Sequence, residues 1–399
     1  MKNPLSSYGR HFIEEDDLDA VRSALMGDFL TGGSRVDQFE KDLAGVTRSR
    51  HALTCANGTA GLHMACHALG VTRGTTAIVP SITFLATANA AIMMGADVVF
   101  TDVNPSTALM EPHHLEDAIK RCPSKPAVVM PVHIGGQVCD MKRISDIARA
   151  NDIKIIEDAC HALGTQYRDR DQTRYVGDGT YSDATMLSFH PVKNITTGEG
   201  GAITTPDDQI MDRLRGLRSH GMVRDPARFL NRDMGFTAGE PNPWYYEMPD
   251  YGYNYRLTDI QAALGISQLK KLPRFQAHRE KIRKAYEKHL APFAPHIRPV
   301  PRVPGCDPLW HLMTVLIDFE ALGTTRAQVM KELSTKGIGT QVHYIPVHQQ
   351  PFYQKNFPQP SLPGTDAYYR QTLTLPLHVH LEETHVEQAV QTLAGILSL

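Results

Sequence analysis

The chain has 399 residues, with 41 Lys and Arg against 43 Asp and Glu and a formal net charge of −2. Its 42% apolar and 21% charged residues are the balance of a globular protein, and its length predicts two or three structural units with ample material for a core. Near-zero charge excludes a strongly basic nucleic-acid scaffold, and no apolar run reaches the ~18–20 residues of a membrane helix.

The first segment, through Asp17, carries no apolar signal stretch, so the expected location is the cytoplasm. From about residue 40 to 205 short apolar runs alternate with helix-like stretches. Residues 76–80, 97–102, 127–131, 153–158 and 184–189 read as buried strands. Residues 60–69, 87–94, 114–121 and 144–150 carry helical periodicity between them. This alternation predicts an α/β fold: a mostly parallel sheet with helices on both faces and a ligand at the carboxyl ends of the strands. Residues 257–288 read as one or two long helices after a loop rich in aromatics and Pro. Five prolines between Pro292 and Pro304 mark a boundary, which predicts a large domain over 1–295 and a smaller C-terminal α+β domain over 296–399. In the latter, 310–318, 327–337, 341–346 and 382–397 are the structured stretches.

Six cysteines (Cys55, Cys66, Cys122, Cys139, Cys160 and Cys306) are scattered, with no CxxC pair, so neither disulfides nor a zinc or iron–sulfur site is expected. Among 19 histidines there is no HExxH and no pair at helical ligand spacing beside a carboxylate, so no metal site is expected.

Four stretches carry chemistry. Lys193 follows the strand ending at Ser188–Phe189 and precedes Gly198, Gly200 and Gly201. A lysine desolvated at a sheet rim shifts toward its neutral form, and a neutral amine can form a Schiff base with an aldehyde. Asp158 ends an apolar strand, where a carboxylate can pair with the protonated nitrogen of a pyridine ring and keep the ring an electron sink. Gly58, Thr59 and Ala60 open a helix whose free N–H groups, with the Thr59 hydroxyl, can cradle a phosphate. Phe84, just after a strand, can lie flat on an aromatic ligand. Each has a plainer reading taken alone: a solvated lysine, a turn-forming acid, an ordinary helix start, a core aromatic. Their coincidence in chain order, with Lys193 35 residues after Asp158, matches the parts of a pyridoxal phosphate site.

The stretches Tyr8–Asp17, Asn57–Ala60, Ile82–Ala90, Glu157–Gly164, Ser188–Lys193 with Thr196–Gly201, and Gly252–Gly265 resemble the DegT–DnrJ group of nucleotide-sugar aminotransferases over nearly the whole chain. Within that group, Ser188–Lys193, Arg218–Gly221, Pro243–Met248 and Tyr344–Tyr353 are most similar to the enzymes that make the 4-amino sugar precursor of pseudaminic acid. The resemblance implies fold type I and pyridoxal 5′-phosphate cycling through pyridoxamine 5′-phosphate. It implies L-glutamate as donor, a nucleotide-linked 4-keto-6-deoxy sugar as acceptor, and a homodimer with shared sites. It assigns Lys193 to covalent attachment of the cofactor, Asp158 to the ring nitrogen and Phe84 to stacking. Gly58, Thr59 and Ser188 fall at the phosphate, as does Asn254 from the neighbouring subunit. His161 stands where many relatives have Gln, against the ring hydroxyl. His220, Tyr246, Arg256, His343 and His348 lie in stretches that line the sugar site, and Arg224, Arg228 or Arg232 in the long 222–243 loop could meet a diphosphate. One departure, Thr75, replaces the acidic residue usual after the glycine of that turn. The lysine at 193 and the absence of cluster-spaced cysteines disfavour the dehydratase and iron–sulfur branches of the group.

Overall fold

The computed structural model describes residues 3–399. Among the described residues, a seven-stranded sheet is built from β1 (His51–Cys55), β2 (Thr76–Pro80), β3 (Asp97–Thr101), β4 (Pro126–Val129), β5 (Lys154–Asp158), β8 (Ala184–Ser188) and β9 (Gly201–Thr205). Its order is β1-β9-β8-β5-β4-β2-β3. Only β9 runs antiparallel to its neighbours, β1 and β8. The polar hairpin β6 (Gln166–Asp169) and β7 (Gln172–Tyr175) lies outside this sheet.

Alternation places successive side chains on opposite faces, and both faces are covered. Ile78, Val129, Ile155 and Leu187 enter one core, while Ala77, Val79, Val128, Ile156 and Met186 enter the other. The strands therefore read as unbroken apolar runs. The covering helices are α1 (Glu15–Leu25), α2 (Ser34–Thr47), α3 (Gly58–Ala68), α4 (Leu85–Met93), α5 (Pro112–Arg121), α6 (Met141–Ala150) and α7 (Asp208–Arg218). Side-chain caps start several of them: Asn57 on Ala60 N–H, Asp140 on Arg143 N–H, and Asp207 on Gln209 and Ile210 N–H. Helix α3 lies unusually close to the sheet because Gly61 has no side chain; a Cβ there would stand 2.1 Å from Met186 Sδ. That approach brings the start of α3 against the end of β8.

The helices begin two or three residues before the apolar periodicity does, because caps and first turns carry none. Strands β1 and β9 and the β6–β7 hairpin were not anticipated. The 222–243 stretch, expected as a loop, is an ordered excursion holding α8 (Arg232–Gly235) and a ladder of β10 (Phe236–Thr237) with β11 (Glu240–Pro241). Glu247 fastens it by accepting from Leu230 and Asn231 N–H at 2.6 Å each. At the departure noted above, the Thr75 hydroxyl donates to Thr72 O at 2.7 Å and closes the turn.

Residues 257–288 resolve into α9 (Asp259–Lys270) and α10 (Leu272–Leu290), divided where Pro273 enters the first turn of the second helix. Helix α10 belongs to two cores. Leu272 and Phe275 pack with the large sheet, whereas Ile282, Tyr286 and Leu290 pack with the C-terminal unit. That unit has a three-stranded sheet of β12 (Ile297–Pro299), β14 (Met313–Ile317) and β15 (Thr372–Leu375), in the order β12-β14-β15. Helices α11 (Arg326–Thr335) and α14 (Glu383–Ile396) cover it, and α12 (Pro351–Asn356) and α13 (Pro363–Gln371) connect it. The short β13 (Cys306–Asp307) pairs back onto β6. Leu5, from the N-terminal arm, joins the C-terminal core.

Beneath the end of β5, His133 Nε2 and Glu157 Oε2 stand 2.6 Å apart, with His133 fully buried and Glu157 nearly so. Burial opposes the imidazolium, but Cys139 and the Glu157 carboxylate outweigh it and push the His133 pKa up to about 10. Ser182 and Thr185 hydroxyls supply the remaining donors to Glu157. Removing one partner leaves a buried charge unpaired. His133→Ala is expected to lower the unfolding free energy by about 3–5 kcal/mol, seen as a lower urea midpoint at unchanged slope; a shift below about 1 kcal/mol counts against a buried charged pair.

Candidate active site

The segments after β1, β2, β5 and β8 converge on one cavity of about 840 Å³ at the carboxyl edge of the large sheet. Tyr8, His343 and Tyr344 close it from the C-terminal unit and the arm. Tyr8 is held there by its carbonyl, which accepts from Leu377 N–H at 2.8 Å.

Asp158 is the last residue of β5 and is buried. Its Oδ2 accepts from the Thr87 hydroxyl at 2.6 Å, and its Oδ1 accepts from Cys160 N–H at 3.2 Å. Thr83 Oγ1 stands 2.8 Å from Thr87 Oγ1. Since the Thr87 proton is committed to Asp158, Thr83 is the donor in that pair. Lys193 lies in the turn after β8, its N–H donating to His190 O at 2.8 Å. Burial lowers the pKa of its ammonium, opposed by Cys160 and Asp158, so neutral amine is easier to reach than at a solvated lysine.

At the start of α3, Asn57 Oδ1 occupies the Ala60 N–H at 2.9 Å. That leaves the Gly58 and Thr59 amides, which have no intrahelical acceptor, as the anion donors. The expected Ala60 contact is thus taken by the cap. A Cβ on Gly58 would stand 3.6 Å from Ser188 Oγ, so the missing side chain keeps the space between helix and Ser188 open. Phe84, the residue before α4, is 57% exposed beside the cavity, its ring centroid 6.1 Å from that of Tyr344.

His161 is buried between Gly135, whose N–H points at Nδ1 (3.3 Å), and Tyr344, whose hydroxyl lies 3.0 Å from Nε2. Its ring packs on His311 at 4.4 Å. Burial, with Lys193 adding, keeps His161 well below the ordinary imidazole range, and burial does the same for His311. His343 lines the cavity, is held by Thr374 Oγ1 at 2.9 Å, and is pushed down to about 3 by burial and Lys193.

The other expected substrate residues are not gathered here within this chain. His348 sits behind the wall, its Nδ1 2.5 Å from Ser81 Oγ. His220 and Asn254 are exposed, Tyr246 is 53% exposed and Arg256 is half-buried; none of the four lines the cavity. The cause is local. Tyr253 and Tyr251 stack against His63 and His67 of α3, at 4.8 and 5.0 Å, and hold the segment on the outer face of that helix. Tyr255, two residues on, does line the cavity, whereas Tyr251 and Tyr253 do not. Arg228 is engaged by Asp212 through two 2.8 Å contacts, and Arg232 lies 4.9 Å from the Phe236 ring. Glu111, His113 and His114 bring one potential metal ligand atom each within 4.8 Å, a grouping not anticipated. His114 Nδ1, however, accepts from Glu111 N–H at 3.1 Å and is committed to the helix start.

The sequence profile of the DegT/DnrJ/EryC1/StrS aminotransferase family matches residues 11–394. The chain belongs to this family. It is 35% identical over 399 residues to the spore coat polysaccharide biosynthesis protein SpsC of Bacillus subtilis, covering 99% of this chain and 98% of SpsC. Its fold superposes on PseC of Helicobacter pylori, an aminotransferase involved in the biosynthesis of pseudoaminic acid, with a TM-score of 0.87 at 26% identity, covering 98% and 99% of the two chains. It also superposes on Spr1654 of Streptococcus pneumoniae in its PMP form, with a TM-score of 0.86 at 27% identity and 98% of each chain covered. The protein is a sugar aminotransferase of the DegT/DnrJ family, with the fold type I architecture.

Several cavity residues escaped sequence reasoning. Thr83, in the turn before α4, lines the cavity, and Thr87 on α4 holds Asp158 from behind its wall; nothing but their spacing of four residues marks them in the sequence. Tyr344 lies between His343 and His348, whose imidazoles draw the attention in that stretch. Tyr8 and Cys160 lie inside the family-like stretches Tyr8–Asp17 and Glu157–Gly164, but nothing in their residue types alone points to the cavity.

The buried histidines make a pH signature. The folded chain leaves His343 and His378 unprotonated down to about 3, while the unfolded chain protonates them near the ordinary value of 6.5. Unfolding therefore takes up protons between those limits, and stability falls as pH drops from 6.5 toward 3. The urea midpoint should fall over that window, and His343→Asn should flatten the slope by close to one proton. An unchanged slope in the variant would mean that His343 titrates normally in the folded chain.

Proposed function

We propose that this chain is a pyridoxal phosphate-dependent aminotransferase that moves an amino group from L-glutamate to the C4 keto group of a nucleotide-linked 4-keto-6-deoxy sugar. A UDP-linked N-acetylhexos-4-ulose is the first choice, ahead of GDP- or dTDP-linked 4-keto-6-deoxyhexoses. The observation that carries this reading is Lys193: an amine of lowered pKa in the same cavity as a rigidly bonded Asp158.

The residues fit the cofactor. The Gly58 and Thr59 amides with the Ser188 hydroxyl suit the phosphate, Phe84 offers a flat apolar face, and Asp158 suits a pyridinium N–H. When bound, the cofactor supplies an aldehyde that takes an amine and a ring that stores an electron pair. Lys193 Nζ anchors it and, once released, removes the proton from the donor α-carbon. Asp158 holds the proton of the ring nitrogen, and Thr87 and Cys160 N–H keep the carboxylate from turning away. The donor would leave as 2-oxoglutarate before the sugar enters, since one cavity serves both.

A homodimer with shared sites is part of this reading. Asn254, His220 and Tyr246 stand outside their own cavity, and Trp244 (74%) and Met248 (63%), flanking Tyr246 in the chain, are exposed, so a second copy could cover these apolar side chains and receive the polar ones. An amino-acid transaminase would need a free arginine for the substrate carboxylate. Arg326 is instead bonded to Tyr369 O and Thr372 O, with its guanidinium 4.4 Å from the Tyr369 ring.

The purified protein should be yellow and should bleach with L-glutamate. Lys193→Ala should lose the visible band and turnover; a mutant that keeps the wild-type spectrum overturns the assignment. Asp158→Asn should retain cofactor and lose about 100-fold or more in rate, whereas a near-normal rate removes Asp158 from the chemistry. Mixing the pyridoxamine phosphate form with each 4-keto sugar nucleotide, and watching which restores the band, identifies the acceptor.

A further inference from the structure

We propose that Arg279 is a positioning residue for the cavity: its guanidinium takes the place of sheet hydrogen bonds where β14 and β15 part, and so fixes both the arm that carries Tyr8 and the Gly135 loop beside His161. The proposal goes beyond the cofactor reading, since this geometry is the same whichever ligand the cavity takes.

Arg279, on α10, is 1% exposed and forms no ion pair among the described residues. A fully buried arginine is almost always paired, because an uncompensated cation is costly to take out of water. Burial pushes its pKa down to about 10, which leaves it charged at neutral pH. Its donors go to backbone instead. Nη1 lies 3.2 Å from Trp310 O, 3.1 Å from Leu377 O and 3.5 Å from His311 O.

The sheet register explains why those carbonyls are available. Strands β14 and β15 are antiparallel, with Met313 opposite Leu375. Thr374 turns its N–H and C=O outward to Gln341, so Met313 and Leu375 form a hydrogen-bonded pair. Two residues on, His311 and Leu377 fall at the next position of the same kind. They do not bond each other. His311 N–H donates to Gly135 O at 2.9 Å, and Leu377 N–H donates to Tyr8 O at 2.8 Å. Both carbonyls accept from the one guanidinium, which keeps the strands apart without leaving buried acceptors unpaired.

The two diverted amides hold cavity walls. Gly135 in turn points its N–H at His161 Nδ1. The Tyr8 ring lines the cavity with its centroid 4.9 Å from that of His343. Beside it, a Cβ on Gly9 would stand 3.3 Å from Val192 Cβ, so the arm runs against the turn of Lys193. Arg283, one turn further along α10, makes a natural comparison: it is equally buried but bonds Val300 O at 2.6 Å and Glu287 at 2.8 Å, and touches neither diverted strand end.

Hydrogen exchange of the full chain tests this, read at the Leu377 and His311 amides relative to those of α14 in the same core. Arg279→Met should raise both ratios about tenfold or more, the worth of a charged hydrogen bond, and Arg283→Met should leave them within about twofold. In Arg279→Met, bleaching by L-glutamate should need about threefold or more donor for half effect at a limiting rate within about twofold, because loosened walls lower the competent fraction and leave the chemistry alone. Should Arg279→Met fail to fold, Arg279→Lys decides: an ammonium lacks the planar fork, so at least one of the two ratios should rise. Equal acceleration at Leu377, His311 and α14 marks a merely structural residue and overturns the inference. So does an unchanged half-saturating donor concentration, or an Arg279→Lys chain with both ratios unmoved. A wild-type chain that does not bleach overturns the cofactor reading alone, and the exchange ratios then decide this one.

Discussion

The hydrogen bond from the Thr87 hydroxyl to Asp158 is the contact on which the site depends. It ties helix α4 to the end of strand β5. Because Phe84 immediately precedes α4, the same bond sets the distance between an exposed aromatic face and a buried carboxylate. Thr83 backs it, and Cys160 N–H takes the other carboxylate oxygen. A buried Asp with fixed donors on both oxygens has one orientation, which is what a group that must hold a ring proton requires.

Dryness is the second constraint. His161, His311 and His343 are buried around Lys193, and burial makes each imidazole neutral. A neutral wall has two consequences. It leaves Cys160 and Asp158, with no neighbouring imidazolium, as the charges that oppose the burial of Lys193. It also fixes tautomers, since each ring has one proton to place and the surrounding backbone decides where. The Gly135 amide does this for His161.

Much of the framework was legible in the chain itself. Strands β2, β3, β4, β5 and β8 announce themselves because both faces of a parallel sheet are covered and their central residues are mostly apolar. Lys193, Asp158, Phe84 and the Gly58–Thr59 turn stand at strand ends or helix starts, where local pattern and chemistry agree. Strand β9 was hidden because it follows a glycine-rich turn and reverses direction. Strand β1 was hidden because its residues, His51–Cys55, carry no β-branched run. The β6–β7 hairpin is polar and half-exposed, so no periodicity marks it.

The linear order of residues settled which groups could do chemistry and on which strand each would sit, since alternation and capping act over a few neighbours. Only folding decided which of them meet. Gly61 had to let α3 approach Met186 before Gly58 could face Ser188. The arm had to cross to Leu377 before Tyr8 could line the cavity. The stacking of Tyr251 and Tyr253 on α3 carried His220, Tyr246, Asn254 and Arg256 to the outer face. Those are contacts between segments tens to hundreds of residues apart. Their geometry comes from the packing of whole helices on a sheet, which no local pattern encodes.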